Sequence, residues 1–412
     1  MQIEVDTVKG FKDYLPPESV RRRQIEKLVE TVFQNYGFLP METPIIEFDE
    51  LMRSETLSDE EDESISDRFK LKDKAGRNLG LRYEFTFQLS RIFKQNPNIK
   101  LPFKRYQIGS IFRDEPIRIG RTRQFTQCDI DIIGDSSIHA DAECLAVVYD
   151  VLHELKIKDF EIQVNNRKLM NSIIESVEII ERKQVMKELD KLNKIGEDEV
   201  KSNLKKYTSS NQVITLFKIL EKPLPFFVEN AFDGAEEIKK LQEKAKLYGI
   251  EFKFNPFMAR GFGYYTGNIF EFVLPNKTSI VGGGRYDKVV GKHSYKEIPA
   301  VGISFSIESL TALCEKELSL LKLDSFPKVL IVSLDEEKET IKIAKKLRKN
   351  NISCMTAFDN LSKQLEYANS LKIPYVIILG SEEAQNEKYK LKDMISGEQR
   401  DLTENQLIKK LK

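Results

Sequence analysis

The sequence predicts an α+β domain with a mostly antiparallel sheet, a helical insertion within that domain, and a smaller C-terminal α/β domain. Three observations lead to this prediction. Strand-like stretches with polar and apolar alternation occur at about 70–134 and return at about 250–290. The sequence between them is charged and has helical character. From residue 328 onward, short apolar runs alternate with helical segments, which is typical of a small parallel or mixed sheet.

The elements of the first domain follow from local patterns. The chain begins with an amphipathic helix that ends at Gly37, and an extended segment broken by Pro40 and Pro44 follows. The stretch "FKLKDKAGRNLGLRYEFT" predicts two strands around a glycine-containing turn. The stretch "RTRQFTQCDIDIIG" predicts a strand, and "HADAECLAVVYDVLHEL" predicts an amphipathic helix.

The predicted domain boundaries lie where these patterns change. A chain of 412 residues is too long for one ordinary core. We assign residues 1–167 and 240–322 to the sheet domain, residues 168–239 to the helical insertion, and residues 326–412 to the C-terminal domain.

Composition narrows the functional classes. Lysine plus arginine and aspartate plus glutamate both number 65, so nucleic-acid binding must use local patches and not a global basic field. The four cysteines form no CxxC pair, which argues against a structural zinc site or a disulfide framework. The N-terminus lacks the pattern of a signal peptide, and apolar runs are too short to cross a bilayer. We therefore expect a cytoplasmic protein.

The stretch "IFRDEPIRIGRTRQFTQCDIDIIG" carries four arginines in eleven residues. Such a cluster needs anionic partners, and guanidinium groups suit phosphate oxygens. On the following strand Phe125, Gln127, Asp129 and Asp131 share one face. That face either is exposed to solvent or lines a polar pocket. The arginines favour the pocket, with Phe125 as a stacking surface for a base.

Three further clusters have unusual residue types. In "LRYEFTFQLSR", Glu84, Thr86 and Gln88 lie at a spacing of two, which predicts the polar face of a strand, either at the surface or holding a small polar ligand. "ARGFGYYTGNIFEF" combines glycines, an arginine and two adjacent tyrosines. "SIVGGGRYDKVVG" has a glycine run before Arg285. Neither glycine-rich stretch matches a P-loop or a Rossmann phosphate-binding turn.

Taken in order, these segments resemble the histidyl-tRNA synthetases, a family of class II aminoacyl-tRNA synthetases. "YGFLPMETPIIE" is similar to the first class II motif, with Pro44 as its signature proline, and "FRDE…GRTRQF" is similar to the second. "ARGFGYYTG" and "GGGRYD" are similar to the two histidine-specific signatures. "PAVGISFSIESL" lies where the third motif belongs, and the C-terminal segment is similar to the family's anticodon-binding domain. The resemblance runs almost end to end.

The resemblance implies ATP-dependent ligation of L-histidine to tRNA(His) through histidyl-adenylate, by a class II catalytic domain that forms a homodimer through its first motif. It implies that Arg113 and Arg260 are catalytic, Arg113 holding the α-phosphate and Arg260 bridging that phosphate and the histidine carboxylate. The implied ATP-binding residues are Arg113, Glu115, Arg121 and Phe125. The implied histidine-binding residues are Glu84, Thr86, Gln127, Asp131, Tyr264 and Tyr265. Mg²⁺ is expected to bridge the phosphates of ATP, without a metal cage built from protein alone.

The third motif departs from the family pattern. Glu308 is present, but Ser309 stands where the family has an arginine against adenine and the outer phosphate, and Ser306 replaces a glycine. Gly263 stands where the family usually has an aspartate. A serine hydroxyl cannot replace a delocalised cation.

Two interpretations of this departure are open. In the first, Arg118, Arg121 or Arg123 compensates and the enzyme is active. In the second, the chain is a synthetase-like paralogue that binds histidine as a regulatory or RNA-binding subunit without aminoacylation. The anticodon-binding segment from Lys328 onward favours the first. Restoring arginine at Ser309 is expected to lower the Michaelis constant for ATP if the loss matters, and to change nothing if another arginine fills the site.

Overall fold

The computed structural model describes residues 5–52, 68–259, 264–293, 296–321, 327–386 and 388–412. Its internal contacts divide the chain into two units. One unit comprises Met1–Lys12 and Glu26–Leu321, and the other comprises Asp13–Ile25 and Lys322–Lys412. This division does not separate the predicted helical insertion from the sheet, so the predicted domain boundaries stay predictions.

An eight-stranded sheet forms the centre of the first unit. Its strands are β1 (Leu39–Pro40), β5 (Phe103–Phe112), β6 (Gln124–Ile133), β7 (Glu161–Asn166), β8 (Lys253–Phe254), β9 (Asn268–Val273), β10 (Ser279–Arg285) and β11 (Ala300–Ser306). Their order is β1-β5-β6-β11-β10-β9-β7-β8. Only the outermost pairs, β1 with β5 and β7 with β8, are parallel within this sheet. The prediction of a mostly antiparallel sheet is confirmed.

One face of this sheet is apolar and covered by a helix. Cys128, Ile130 and Ile132 of β6 are buried, as their alternation with polar residues predicts. Three helices come early in the chain: α1 (Glu18–Asn35), α2 (Phe87–Gln95) and α3 (Ile138–Glu154). The predicted helices at α1 and α3 are confirmed. Helix α3 packs against β6 and β11, so the opposite face of the sheet is the one available for a site.

A second, three-stranded sheet lies in the same unit. It contains β2 (Ile46–Phe48), β3 (Lys70–Lys72) and β4 (Asn78–Leu81), in the order β2-β4-β3. The predicted hairpin is confirmed in β3 and β4, but the predicted strand face of Glu84, Thr86 and Gln88 is wrong. The strand β4 ends at Leu81, and α2 begins at Phe87 because Leu89, Ile92 and Phe93 follow helical spacing and pack into the core.

Helices fill the stretch between β7 and β8. They are α4 (Arg167–Ser176), α5 (Arg182–Leu189), α6 (Leu192–Ile195), α7 (Glu197–Leu204), α8 (Ser210–Leu220), α9 (Leu224–Glu229) and α10 (Ala235–Leu247). The side chain of Asn166 caps α4, and Ser209 with Gln212 forms a capping box at α8. Three short helices follow β9: α11 (Asp287–Val290), α12 (Ile307–Leu313) and α13 (Glu315–Ser319).

The second unit contains a five-stranded mixed sheet. Its elements are β12 (Val329–Ser333), α14 (Glu337–Lys349), β13 (Cys354–Ala357), α15 (Leu361–Ser370), β14 (Tyr375–Leu379), α16 (Ser381–Asn386), β15 (Lys388–Asp393), β16 (Gln399–Thr403) and α17 (Glu404–Leu411). The order is β13-β12-β14-β15-β16, with the first three strands parallel and the last two antiparallel to their neighbours. The predicted small α/β domain is confirmed. Within the described part of the chain, no helix is both long and apolar enough to span a membrane.

Candidate active site

The face of the large sheet opposite α3 carries a set of polar residues. Residues opposite each other on neighbouring strands share a face, so the register identifies the members of this set. They are Gln127, Asp129 and Asp131 of β6, Gly109, Gln107 and Arg105 of β5, and Ser306, Ser304 and Gly302 of β11. We call these nine residues the polar bed. The three β6 side chains are at most 5% exposed, so this strand face is buried and does not face solvent.

Asp131 is fixed from three sides. Arg105 Nη2 lies 2.6 Å from Asp131 Oδ2, and the Tyr286 hydroxyl donates a hydrogen bond to Oδ1. A Cβ atom at Gly302 would lie 2.1 Å from Oδ1, so only glycine leaves room for the carboxylate. Burial raises the pKa of Asp131, while the charge of Arg105 opposes that rise. The result is a rigid, water-excluded carboxyl group in the middle of the sheet.

Asp129 is a second buried carboxyl group in the polar bed. Its pKa is raised to about 8, because burial and the neighbouring Asp131 raise it by more than the guanidinium of Arg105 lowers it. The Oδ1 atom of Asp129 and the Nε and Nη1 atoms of Arg105 have no hydrogen-bond partner among the described residues. The polar bed therefore holds two carboxyl groups and one guanidinium, and a ligand that brings a positive charge would stabilise the ionised form of Asp129.

The raised pKa of Asp129 makes the stability of the protein depend on pH. The folded state keeps a proton that the unfolded state loses above its ordinary pKa, so stability falls as pH rises from about 4 to about 8. We expect Asp129→Asn, which needs no such proton, to be more stable than the unchanged chain at pH 8, by on the order of a few kcal/mol. Thermal unfolding at pH 5.5 and pH 8 measures this. Parallel pH dependence in the two proteins would contradict it.

Two predicted histidine-binding residues lie on the loop that precedes α2. Glu84 and Thr86, which precede α2, are each 9% exposed, and the charge of Glu84 contributes to the raised pKa of Asp129. Thr86 occupies the N-cap position of α2 but makes no side-chain capping hydrogen bond. Its hydroxyl group therefore does not serve the helix. The structure thus brings Glu84 close to Asp129, and it places both predicted residues on a loop and not on a strand.

Aromatic rings form a wall next to the polar bed. The rings of Tyr264 and Tyr265 lie 4.5 Å apart between centroids, and their hydroxyl oxygens are 3.3 Å apart. The centroid of the Tyr264 ring also lies 6.5 Å from that of Phe87 and 6.2 Å from that of Tyr286. The Tyr265 ring lies 3.0 Å from the position of a Cβ at Gly284, so that glycine lets the ring approach the sheet.

A cleft of about 120 Å³ opens where β5 and β6 join. Its polar lining includes Arg113, Glu115, Arg121, Gln127 and Ser309, and Phe125 supplies an aromatic surface. Gln127 belongs both to this cleft and to the polar bed, so the two sites adjoin on one sheet. We call this space the ATP cleft, for the ligand that the sequence predicts there.

Arg113 and Arg121 flank one carboxylate in the ATP cleft. Arg113 Nη1 lies 3.8 Å from Glu115 Oε1, and Arg121 Nη1 lies 3.9 Å from Glu115 Oε2. Arg113 Nε donates to the carbonyl oxygen of Tyr83 at 3.0 Å, and its guanidinium lies 5.4 Å from the centre of the Phe125 ring. These ion pairs are long, so both guanidinium groups keep donors for an anion. The predicted residues Arg113, Glu115, Arg121 and Phe125 are thus brought together.

The other two arginines of the hairpin do not line the ATP cleft. Arg123 pairs with Asp114 at 3.1 Å and packs its side chain against Gly10. Arg118 is exposed, and its backbone pairs with that of Arg121. Of the three arginines considered as substitutes for the third-motif arginine, the structure places only Arg121 in the cleft.

Sequence reasoning missed Arg105 and Tyr286 as site residues and gave Asp129 no role. Arg105 lies two and four residues before Gln107 and Gly109, so strand alternation places all three on one face. The alternation of Arg105 and Gln107 on a predicted strand was the available signal. The predicted catalytic Arg260 lies outside the described residues, as does Gly263.

The comparison with protein families decides the family of this chain. The profile described as "Histidyl-tRNA synthetase" matches residues 10–310, and one described as "Anticodon binding domain" matches residues 328–412. The chain belongs to the histidyl-tRNA synthetase family. Among curated relatives, "Histidine--tRNA ligase 1" of Bacillus cereus is 38% identical over 419 aligned residues, covering 96% of this chain and 94% of the relative.

Solved structures agree with this membership of the histidyl-tRNA synthetase family. Histidyl-tRNA synthetase from Nostoc sp. PCC 7120 superimposes with a TM-score of 0.86 at 28% identity, covering 100% of this chain and 99% of that one. A Bacillus halodurans protein described as an ATP phosphoribosyltransferase regulatory subunit/histidyl-tRNA synthetase gives a TM-score of 0.73 at 19% identity, covering 89% of this chain and 97% of that one. The second likeness shows the fold alone.

Proposed function

We propose that this chain ligates L-histidine to tRNA(His) in two steps, through a histidyl-adenylate intermediate. One observation carries the proposal. The ATP cleft and the polar bed adjoin on one face of one sheet and share Gln127. A nucleotide and an amino acid bound there would meet without any rearrangement of the sheet. Membership of the histidyl-tRNA synthetase family supports the same reaction.

The first step needs positive charge more than it needs a base. An oxygen of the histidine carboxylate attacks the α-phosphorus of ATP, and the bond from that phosphorus to the bridging oxygen breaks, which releases pyrophosphate. Two anions approach each other, so pre-positioned cations lower the barrier. We assign Arg113 to the α-phosphate, Arg121 to the terminal phosphate, and Arg260 to the bridge between phosphate and carboxylate. Glu115 would bind the adenine edge and Phe125 would stack on the base.

We assign the selection of histidine to the polar bed together with the predicted loop and tyrosine residues. Glu84, Thr86, Gln127 and Asp131 offer oxygen acceptors for the substrate's ammonium and imidazole N–H groups, and Tyr264 and Tyr265 enclose the ring. An amino acid without those N–H groups would leave buried acceptors unpaired, which costs far more than a poor apolar fit. In the second step the histidyl group passes from the adenylate to the terminal adenosine of tRNA.

Mg²⁺ fits this cleft as a companion of ATP. Within the described ranges, no group of three or more histidine, cysteine, aspartate or glutamate side chains is arranged to hold a metal ion. Glu115, the carboxylate in the lining of the ATP cleft, pairs with Arg113 and Arg121, so the ion would take its ligands mainly from the nucleotide. Mg²⁺ usually takes most of its ligands from phosphate and water in nucleotide sites, where it neutralises phosphate charge.

A homodimer is the second part of the proposal. The first-motif region and the small sheet beside it leave large apolar side chains exposed by 39–57%: Leu39, Ile45, Ile46, Phe48 and Leu71. Several large apolar side chains exposed in one region of the chain are typical of a protein interface. Light scattering should give twice the chain mass, and a monomer at micromolar concentration would contradict the dimer. A tRNA ligase is expected to act in the cytoplasm, where translation takes place.

Histidine-dependent exchange of pyrophosphate into ATP tests the first step, and charging of tRNA(His) tests the second. We expect exchange that requires histidine and Mg²⁺, followed by charging. Exchange without charging would show that the defect lies in the second step, the transfer to tRNA. Absence of exchange in the presence of bound histidine would instead support the alternative, a regulatory or RNA-binding paralogue.

A further inference from the structure

The tip of the β5–β6 hairpin is fastened to helix α12. Ser309 Oγ donates a hydrogen bond to the carbonyl oxygen of Gly120 at 2.8 Å. Gly120 has a φ of +73°, and a Cβ atom there would lie 3.2 Å from Ser309 Cα and 3.6 Å from the Leu313 side chain. The backbone of the tip therefore rests directly on the first turn of α12, and glycine is required both for conformation and for space.

The first turn of α12 is itself held in place. The Ser306 hydroxyl accepts a hydrogen bond from the Ser309 backbone N–H at 3.0 Å. The Glu308 carboxylate accepts one from the backbone N–H of Thr126 in β6 at 2.9 Å. The position of Ser309 is thus set by the helix and the sheet, so its hydroxyl can act as a fixed point for the more exposed tip.

The tip carries Arg121 into the ATP cleft. Arg118 and Arg121 exchange two backbone hydrogen bonds, at 3.0 and 2.9 Å, which makes residues 118–121 one tight turn. Gly120 is the neighbour of Arg121, so anchoring its carbonyl also fixes where the Arg121 side chain begins. That side chain is 65% exposed, and among the described residues its ion pair is the long contact with Glu115.

We propose that Ser309 is a positioning residue for ATP, whose hydroxyl fastens the hairpin tip so that Arg121 supplies the cation that the third-motif arginine supplies in other family members. The inference rests on the proposed ATP site. It selects Arg121 over Arg118 and Arg123, which do not line the cleft. It also gives the serine a positive role, since the serine makes a contact that an arginine at this position would not reproduce.

Restoring the arginine should not help this chain. On the Ser309 rotamer, the Cγ of an arginine would stand where Oγ now lies, 2.8 Å from the Gly120 carbonyl oxygen. Carbon and carbonyl oxygen normally approach no closer than about 3.3 Å. The new side chain must either push the tip away or adopt another rotamer, and in both cases the anchoring hydrogen bond is lost.

Steady-state pyrophosphate exchange on the full chain tests the role of Ser309. We expect Ser309→Ala to raise the Michaelis constant for ATP about three- to tenfold, as one lost hydrogen bond predicts, with kcat and the constant for histidine little changed. Ser309→Thr keeps the hydroxyl and should stay near the unchanged chain. Ser309→Arg should also raise the Michaelis constant for ATP. Ser176→Ala, which removes a hydroxyl-to-carbonyl bond of 2.7 Å in α4, is the matched control and should change nothing.

A double-mutant cycle separates positioning from a general structural effect. If Ser309 acts through Arg121, then Ser309→Ala should add little to the defect of Arg121→Ala. Equilibrium dialysis measures the dissociation constant for ATP without catalysis, and it should rank the variants in the same order. If the unchanged chain fails to exchange pyrophosphate, the proposed function falls, but the dialysis constants still decide the role of Ser309. Wild-type affinity in Ser309→Ala, tighter ATP binding in Ser309→Arg, or full additivity with Arg121→Ala would overturn the proposal.

Discussion

Replacing Arg113 by alanine should lower the rate of histidine-dependent pyrophosphate exchange by about a hundred- to a thousandfold, the usual effect of removing one pre-positioned donor from a developing anion. Arg113 is held by the Tyr83 carbonyl and by the Phe125 ring, so its guanidinium is oriented before ATP binds. Its remaining donors face the ATP cleft beside Glu115. The loss should appear mainly in kcat, because the charge on the α-phosphate changes most in the transition state.

Arg118→Ala is the matched control, since Arg118 belongs to the same hairpin but does not line the cleft. Its exchange rate should stay close to that of the unchanged chain. Arg113→Lys should recover only part of the lost rate, because an ammonium group cannot reproduce the planar fork of a guanidinium. A rate for Arg113→Ala within about threefold of the unchanged chain, well short of the effect of one lost donor, would remove Arg113 from the proposed mechanism.

Replacing Arg105 by methionine should destabilise the first unit by about 3–5 kcal/mol, the usual cost of leaving one partner of a buried ion pair alone. Arg105 is fully buried, and its Nη2 atom also donates to the Phe85 carbonyl at 3.2 Å. Without it, Asp131 must either keep an unpaired charge or take up a proton. Thermal unfolding at neutral pH, and again at pH 5, measures the loss and shows whether acid relieves it.

Asp131→Asn in the Arg105→Met background should recover much of this stability, because the remaining amide carries no charge. The double variant should still bind histidine poorly, which separates folding from recognition. Arg77→Met is the surface control: Arg77 pairs with Asp73 in an exposed turn, and its loss should leave unfolding unchanged. A double variant as unstable as Arg105→Met alone would show that the pair is not the source of the loss.

Strand alternation predicted much of the site but not its assembly. It placed Gln127, Asp129 and Asp131 on one face of β6, and the structure has them there. It could not place Arg105 against Asp131, because that contact depends on the register in which β5 and β6 pair, and the two residues are 26 positions apart in the sequence. Asp129 was visible in the pattern, yet its raised pKa arises from burial among neighbours that only the fold supplies.

The segment around Glu84 shows how a local pattern misleads. Three polar residues at a spacing of two imitate a strand, but the apolar positions that follow them have helical spacing and α2 begins at Phe87. At position 309, likewise, the sequence reveals a missing cation but not that the backbone of a hairpin tip rests against the serine. Such contacts between distant segments cannot be predicted from a short window of sequence.

The serines of β11 and α12 bear on selective inhibition. Ser304, Ser306 and Ser309 line the ATP cleft, whereas the third-motif pattern that this segment resembles has a glycine in place of Ser306 and an arginine in place of Ser309. A nucleotide-like compound built to hydrogen-bond with these hydroxyls would meet a guanidinium in those enzymes and lose its fit there. The position that weakens the resemblance of this chain to its relatives is therefore the position through which it could be inhibited without inhibiting them.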